Sequence, residues 1–118
     1  MPKVNVRAKL DRIHEYWKPK IVAELNDSYV KLVKFKGDFV WHQHDREDEL
    51  FLVLKGHLQI ELRNETWDLR EGELAVVPHG TEHRPVAREE VHALLLEPKS
   101  TVNTGDVRNE RTVDPEWI

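Results

Sequence analysis

The sequence predicts an all-β protein, a small jelly-roll barrel preceded by one short helix. Three observations carry that prediction. Runs rich in Val, Ile, Leu, Phe and Tyr recur at spacings near ten residues, over 21–25, 28–36, 39–44, 50–54, 57–63, 66–69, 73–77, 83–87 and 91–96. Gly, Pro and Asn signals separate them, at Asn26, Gly37, Gly56, Asn64, Gly72 and Pro78. Within 57–63, Leu58, Ile60 and Leu62 alternate with polar residues, the period of a strand with one buried face. Many short strands so punctuated indicate a sandwich or barrel.

The elements follow in order. Residues 5–17 read as a helix. Asn5 is the N-cap, its side chain able to accept a first-turn N–H, and Val6, Leu10, Ile13 and Trp17 form one apolar stripe. Lys18-Pro19 ends it, because the residue before a proline disfavours helical backbone. Such a helix is expected on the barrel's outer face, with a lid over the barrel mouth as the alternative. The barrel spans about 21–97. From Pro98 the chain turns polar, yet it finishes with Trp117 and Ile118, which a free polar tail does not need. The expectation for 98–118 is an extended arm docked on the barrel or on a second subunit.

Composition bounds the function. At 118 residues the chain fits one domain, large enough to bury roughly two-thirds of its unfolded surface. It contains no Cys, which excludes disulfides and thiolate metal sites. No apolar run approaches the ~20 residues of a membrane span, and no signal-peptide segment is evident, so the expected location is the cytoplasm. Its net charge is −4, with 18 basic and 22 acidic residues interspersed, and no basic stripe argues for nucleic acid.

The chemistry gathers between Gly37 and His83. His42 and His44 lie two apart in an expected strand, so both imidazoles share one face. A carboxylate follows shortly, and His83 comes on a later strand. Neutral imidazoles plus a carboxylate make a plausible nest for a transition metal. The spacing resembles the two motifs of the cupin superfamily. In the first, His42-x-His44 is followed by four residues, Glu49, six residues and Gly56. In the second, Gly72 is followed by five residues, Pro78-x-Gly80, two residues and His83. Gly37 stands one residue closer to His42 than the pattern has it, and Ala87 replaces the pattern's closing Asn.

The resemblance implies a metal site of His42, His44, Glu49 and His83. Glu49 is preferred over Glu47 because it opens the apolar strand and keeps the six-residue distance to Gly56. Strand parity puts Phe51 and Val53 with Glu49, and Val40 with His42, as an apolar pocket wall. Trp41 points the opposite way. Arg84, beside His83, is a candidate anion contact that reads more simply as a surface arginine. Three imidazoles and one carboxylate suit Mn, Fe, Ni or Co, with Zn more often tetrahedral.

The function expected is a small metal-dependent enzyme of dioxygenase, isomerase or lyase type, acting on a small chelating substrate, with Glu49 also as catalytic base. A non-catalytic small-molecule or metal-binding module is the alternative, and a metal that only braces the barrel is the third reading. Because 50–54 is apolar on both faces, a homodimer is expected.

Overall fold

The computed structural model describes residues 3–118. Its elements are α1 (Val6–Leu10), β1 (Lys20–Leu25), β2 (Ser28–Asp38), β3 (Glu49–Lys55), β4 (His57–Leu62), β5 (Thr66–Arg70), β6 (Leu74–Val77), β7 (His83–Pro98) and β8 (Glu116–Trp117). The fold is all-β, with one short helix.

The long strand β7 organises the barrel. Along one edge it pairs with β2, from Ser28 opposite Pro98 to Asp38 opposite Val86. Its other edge changes partner: His83 to Val86 pair with β4, whereas His92 to Leu96 pair with β3. A strand that belongs to both walls closes the sheet into a barrel. The outer strands complete the order β5-β4-β7-β2-β1-β8, with β6 paired to β3. The expected pair of strands over 83–87 and 91–96 is thus a single strand.

Two cores result. Inside the barrel, Val33, Phe35, Phe51, Val53, Leu58, Ile60, Val91, Ala93 and Leu95 are buried. Outside β2, Leu32 and Val22 are covered by Leu10 and Ile13 of the N-terminal segment.

The helix is shorter than expected. Asn5 caps it as anticipated, accepting from Ala8 N at 2.9 Å, but it ends at Leu10. Leu10 and Ile13 serve the outer core, while Trp17 turns into the barrel core. A continuing helix would hold all three on one stripe. Trp17 instead adopts φ 64°, stacks on Phe35 and Phe39 at 4.6 and 4.8 Å, and donates from Nε1 to Lys36 O. Tertiary packing overrides the local pattern.

The C-terminal segment docks on its own barrel. Glu116 and Trp117 pair parallel to β1, Ile118 N donates to Ile21 O, and Lys9 Nζ donates to Ile118 O. Between these, a turn brings Gly105 against residues 42 and 43. Asp106 N donates to Gln43 O and Gln43 N donates to Asp106 Oδ1. A Cβ on Gly105, whose φ is +59°, would stand 2.2 Å from Gln43 O and 3.0 Å from the His42 ring, so only glycine fits this approach.

Candidate metal centre

His42 and His44 do not lie on a regular strand. β2 ends at Asp38, and His42 forms a single antiparallel bridge with His83. That bridge is reciprocal, His42 N to His83 O at 3.0 Å and His83 N to His42 O at 2.9 Å. It sets two imidazoles side by side, with ring centroids 4.4 Å apart. The alternation inferred from a strand still holds for burial, because His42 and His44 are buried and Gln43 between them is only half-buried. Glu49 enters as the first residue of β3 and His83 as the first of β7. One potential donor atom from each of His42, His44, Glu49 and His83 lies within 4.8 Å of the others.

Glu47, the competing carboxylate, instead accepts from Ser100 Oγ. Phe51 lines the cavity beside this group, but the parity argument reached too far for the other two wall residues. Val53 lies deeper in the barrel core, fully buried, and Val40 packs half-buried against the core's edge; neither lines the cavity. Trp41 faces away, with the Arg63 guanidinium 3.8 Å from its ring centroid. Arg84 is engaged by Glu61, donating from Nε and Nη2 at 2.9 and 2.6 Å, as a surface arginine would be.

Hydrogen bonds fix the tautomers. His42 Nδ1 is 2.8 Å from Val40 O and His83 Nδ1 is 2.9 Å from Thr81 O. A carbonyl only accepts, so each Nδ1 carries the proton and each Nε2 keeps a free lone pair. His44 Nε2 and His83 Nε2 stand 3.3 and 3.7 Å from Glu49 Oε1, without hydrogen-bond geometry. Among the described residues, the buried side-chain atoms lacking a partner are both His44 ring nitrogens, Glu49 Oε1, His83 Nε2 and Glu97 Oε2. Buried polar atoms normally find partners. Four of these five belong to the donor group, and a cation at its centre would satisfy lone pairs that nothing in the protein reaches. The residues fit a divalent metal ion.

Electrostatics agree with that fit. Burial, then the neighbouring His83, depress the His42 pKa to about 4, so the ring is neutral at pH 7. Burial pushes the Glu49 carboxyl up, but His44, His83 and the neighbouring Glu97 carboxyl together outweigh it and hold the group well below its ordinary value, while burial and the Glu49 charge hold Glu97 well above its own. The site therefore offers a neutral His42 ring and an ionised Glu49 carboxylate, the protonation states that ligation requires of them.

The cavity wall is largely aromatic and apolar: Trp17, Phe35, Phe39, Phe51, Leu95 and two prolines. Its polar members are His42, Glu49, Glu97 and Asn103. The sequence reading missed Trp17, Glu97 and Asn103. A signal for Glu97 existed, since it shares parity with His83, Ala93 and Leu95, all buried on β7. Nothing local marks Trp17 or Asn103 as cavity residues.

Known proteins agree with this architecture. The sequence profile of the cupin domain matches residues 30–97, more than half of the chain. The chain belongs to the cupin family. It is 37% identical over 81 residues to the uncharacterized protein YdbB of Bacillus subtilis, covering 68% of this chain and 72% of YdbB. The crystal structure of a cupin-2 domain protein from Shewanella frigidimarina superposes with a TM-score of 0.79 at 43% identity, covering 80% of this cupin and 93% of that chain. Protein NMB1881 from Neisseria meningitidis superposes with a TM-score of 0.76 at 32% identity, over 81% of this chain and 98% of its own. Among the described residues, no helix is long and apolar enough to cross a membrane.

Proposed function

We propose that this cupin holds one divalent transition metal at His42, His44, Glu49 and His83, and that it is an enzyme of dioxygenase, isomerase or lyase type acting on a small chelating substrate. The observation that carries the metal reading is the cluster of buried, unpartnered donor atoms, all within 4.8 Å of one another. Mn, Fe, Ni and Co suit three imidazoles and a carboxylate, and Zn is the tetrahedral alternative. The ion would supply Lewis acidity to a bound oxygen donor, and redox chemistry if it is iron.

The chain's own residues do the rest. Val40 O and Thr81 O orient the His42 and His83 rings through Nδ1. Trp17, Phe39 and Phe51 keep bulk water from the donor group and receive the apolar part of a substrate. Glu49, held ionised, is the candidate proton acceptor at Oε1. A binding module without turnover is the second reading, favoured by the narrowness of the chemistry: among cavity-lining residues only His42, Glu49, Glu97 and Asn103 are polar.

Metal analysis of the purified protein tests the first step. About one ion per chain is expected, with His83→Ala reducing affinity at least ~100-fold, beyond the usual cost of losing an outer-shell partner. Full occupancy in both His42→Ala and His83→Ala would refute the site. Glu49→Gln separates the two readings: an enzyme keeps much of its metal and loses most of its rate, whereas a binding module has no rate to lose against any of a panel of diketones, hydroxy acids and sugars.

A further inference from the structure

The cavity beside the donor group is nearly closed. It has room of about 30 Å³, enough for a water molecule. Small-molecule pockets usually run to ~300 Å³ or more, so a substrate needs part of the wall to move. Much of the wall is strand: Phe35 on β2, Phe51 on β3 and Leu95 on β7. Trp17 is not. It belongs to the irregular segment 14–18, between α1 and β1, and is the one buried residue of that segment. His14, Glu15, Tyr16 and Lys18 are exposed. The segment's ends are fixed, by Ile13 in the outer core and by Pro19, which is buried at the cavity wall.

Among the described residues, three hydrogen bonds tie this segment to the barrel. Trp17 N donates to Lys34 O and Trp17 Nε1 to Lys36 O, both at 2.9 Å. Tyr16 Oη donates to Glu90 Oε1 on β7 at 2.6 Å, at the exposed surface. The rest of the attachment is the indole itself, stacked on Phe35 and Phe39. Its φ of 64° is a backbone conformation that bulky residues rarely adopt, held here by those contacts and relieved if they part. A short exposed segment with one buried side chain and few tethers is the kind that opens locally while the sheet stays closed. Withdrawal of the indole would join the cavity to solvent. It would also free the place beside Phe35 and Phe39 for the apolar part of a ligand, whose contacts there replace those the indole gives up.

We propose that residues 14–18 are a gate over the cavity: Trp17 is its plug, the Tyr16–Glu90 hydrogen bond is its latch, and a ligand enters as the indole leaves. This rests on the reading of the cavity as a ligand site beside a metal centre.

Hydrogen exchange followed by NMR on the metal-free full chain tests the motion. The Trp17 N–H and Nε1–H should be protected equally, and at least about 100-fold less than the slowest amides of β2 and β7. Tyr16→Phe should speed both by a further three-fold or so, the size of an exposed hydrogen bond to a carboxylate. Withdrawal of Co(II) from the loaded protein by excess dipicolinate tests the passage. Its rate should rise in Tyr16→Phe by the same factor as the exchange, with Co(II) affinity unchanged because uptake quickens equally. Trp17 protons as slow as the slowest amides overturn the proposal, since the plug would then leave only on global unfolding. Exchange indifferent to Tyr16→Phe, or ion withdrawal that does not follow it, overturns it as well. A wild type that takes up no Co(II) refutes the metal-centre reading instead, and the exchange comparison still decides whether the gate opens.

Discussion

The two faces of β3 and β7 have opposite contents. The face toward the barrel interior carries Glu49, Phe51 and Val53 on β3 and His83, Ala93, Leu95 and Glu97 on β7, all buried. The face toward the outside carries Leu50, Leu52 and Leu96, half-buried, continued by Leu74 and Val76 on β6, which are 56% and 45% exposed. The inner face thus buries carboxylates and an imidazole among its apolar residues, while the outer face leaves aliphatic side chains partly in solvent. The difference teaches that burial here follows the supply of partners more than side-chain polarity. Lys31 answers Glu97, backbone carbonyls answer His42 and His83, and the remaining lone pairs converge on one point. The outer aliphatic residues face one another across strands, Leu50 between Val76 and Leu96, and Leu52 between Leu74 and Leu94.

The strongest way to break the inner face is to remove one member of a pair. Lys31→Met should destabilise the protein by roughly 3 kcal/mol, the low end for a broken buried pair, because burial and the adjacent Glu49 already hold the Glu97 carboxyl well above its ordinary value. Lys31→Met/Glu97→Met should restore most of that loss in urea melts. Equal destabilisation of single and double variants would mean that the partners do not compensate one another.

Acid is the next probe. The His42 pKa is about 4 in the folded chain and near the ordinary 6.5 when unfolded. A depressed pKa means the unfolded state binds the proton first. Stability is therefore fully present above pH ~6.5 and lost as pH falls toward 4, by an amount on the order of 2–3 kcal/mol. Thermal melts of metal-free protein should fall across that window, and less steeply in His42→Gln. A midpoint indifferent to pH between 6.5 and 4 contradicts the assignment.

Gly105→Ala comes third. The added methyl would press on Gln43 O and the His42 ring, at a positive φ. A cost of about 1–3 kcal/mol is expected, with metal affinity falling as well. Unchanged metal affinity would show that the C-terminal turn is independent of the site.

The outer face should respond least in the folded monomer. Leu74→Glu with Val76→Glu should alter its stability by no more than about 0.5 kcal/mol. We propose that this face joins two copies, because exposed aliphatic area of this kind marks an association surface. Light scattering should then show a dimer in the wild type and a monomer in the variant. A wild-type monomer at micromolar concentration removes the proposal.

What was legible in the sequence was periodic or local. Strand alternation marks Leu58, Ile60 and Leu62, and motif spacing alone groups His42, His44, Glu49 and His83. What was not legible depended on distant parts of the chain. Trp17 continues a helical stripe by spacing, yet it occupies a space bounded by Phe35 and Phe39, which no local pattern discloses. Residues 88–90 are polar and look like a turn, but β7 runs on through them as an irregularity between the pairs Phe35↔Val91 and Gly37↔Ala87 with β2. Gly105 reads as an ordinary turn glycine, and only its approach to Gln43 shows why a side chain is excluded. Val40 and Val53 were misplaced because parity specifies a face and is silent about depth.

The partner switch along β7 has a kinetic consequence. β2, β3 and β4 all wait for this one strand, and it is completed only at Pro98. A growing chain that has made His42, His44 and Glu49 has no wall to hold them. Pairings this remote in sequence slow folding, since each closes a long loop before it is rewarded. A nascent chain would therefore pass through synthesis without a formed trap for cations, and capture of the ion would follow closure of the barrel. The identity of the bound metal would then be decided by the ion pool that the finished protein meets.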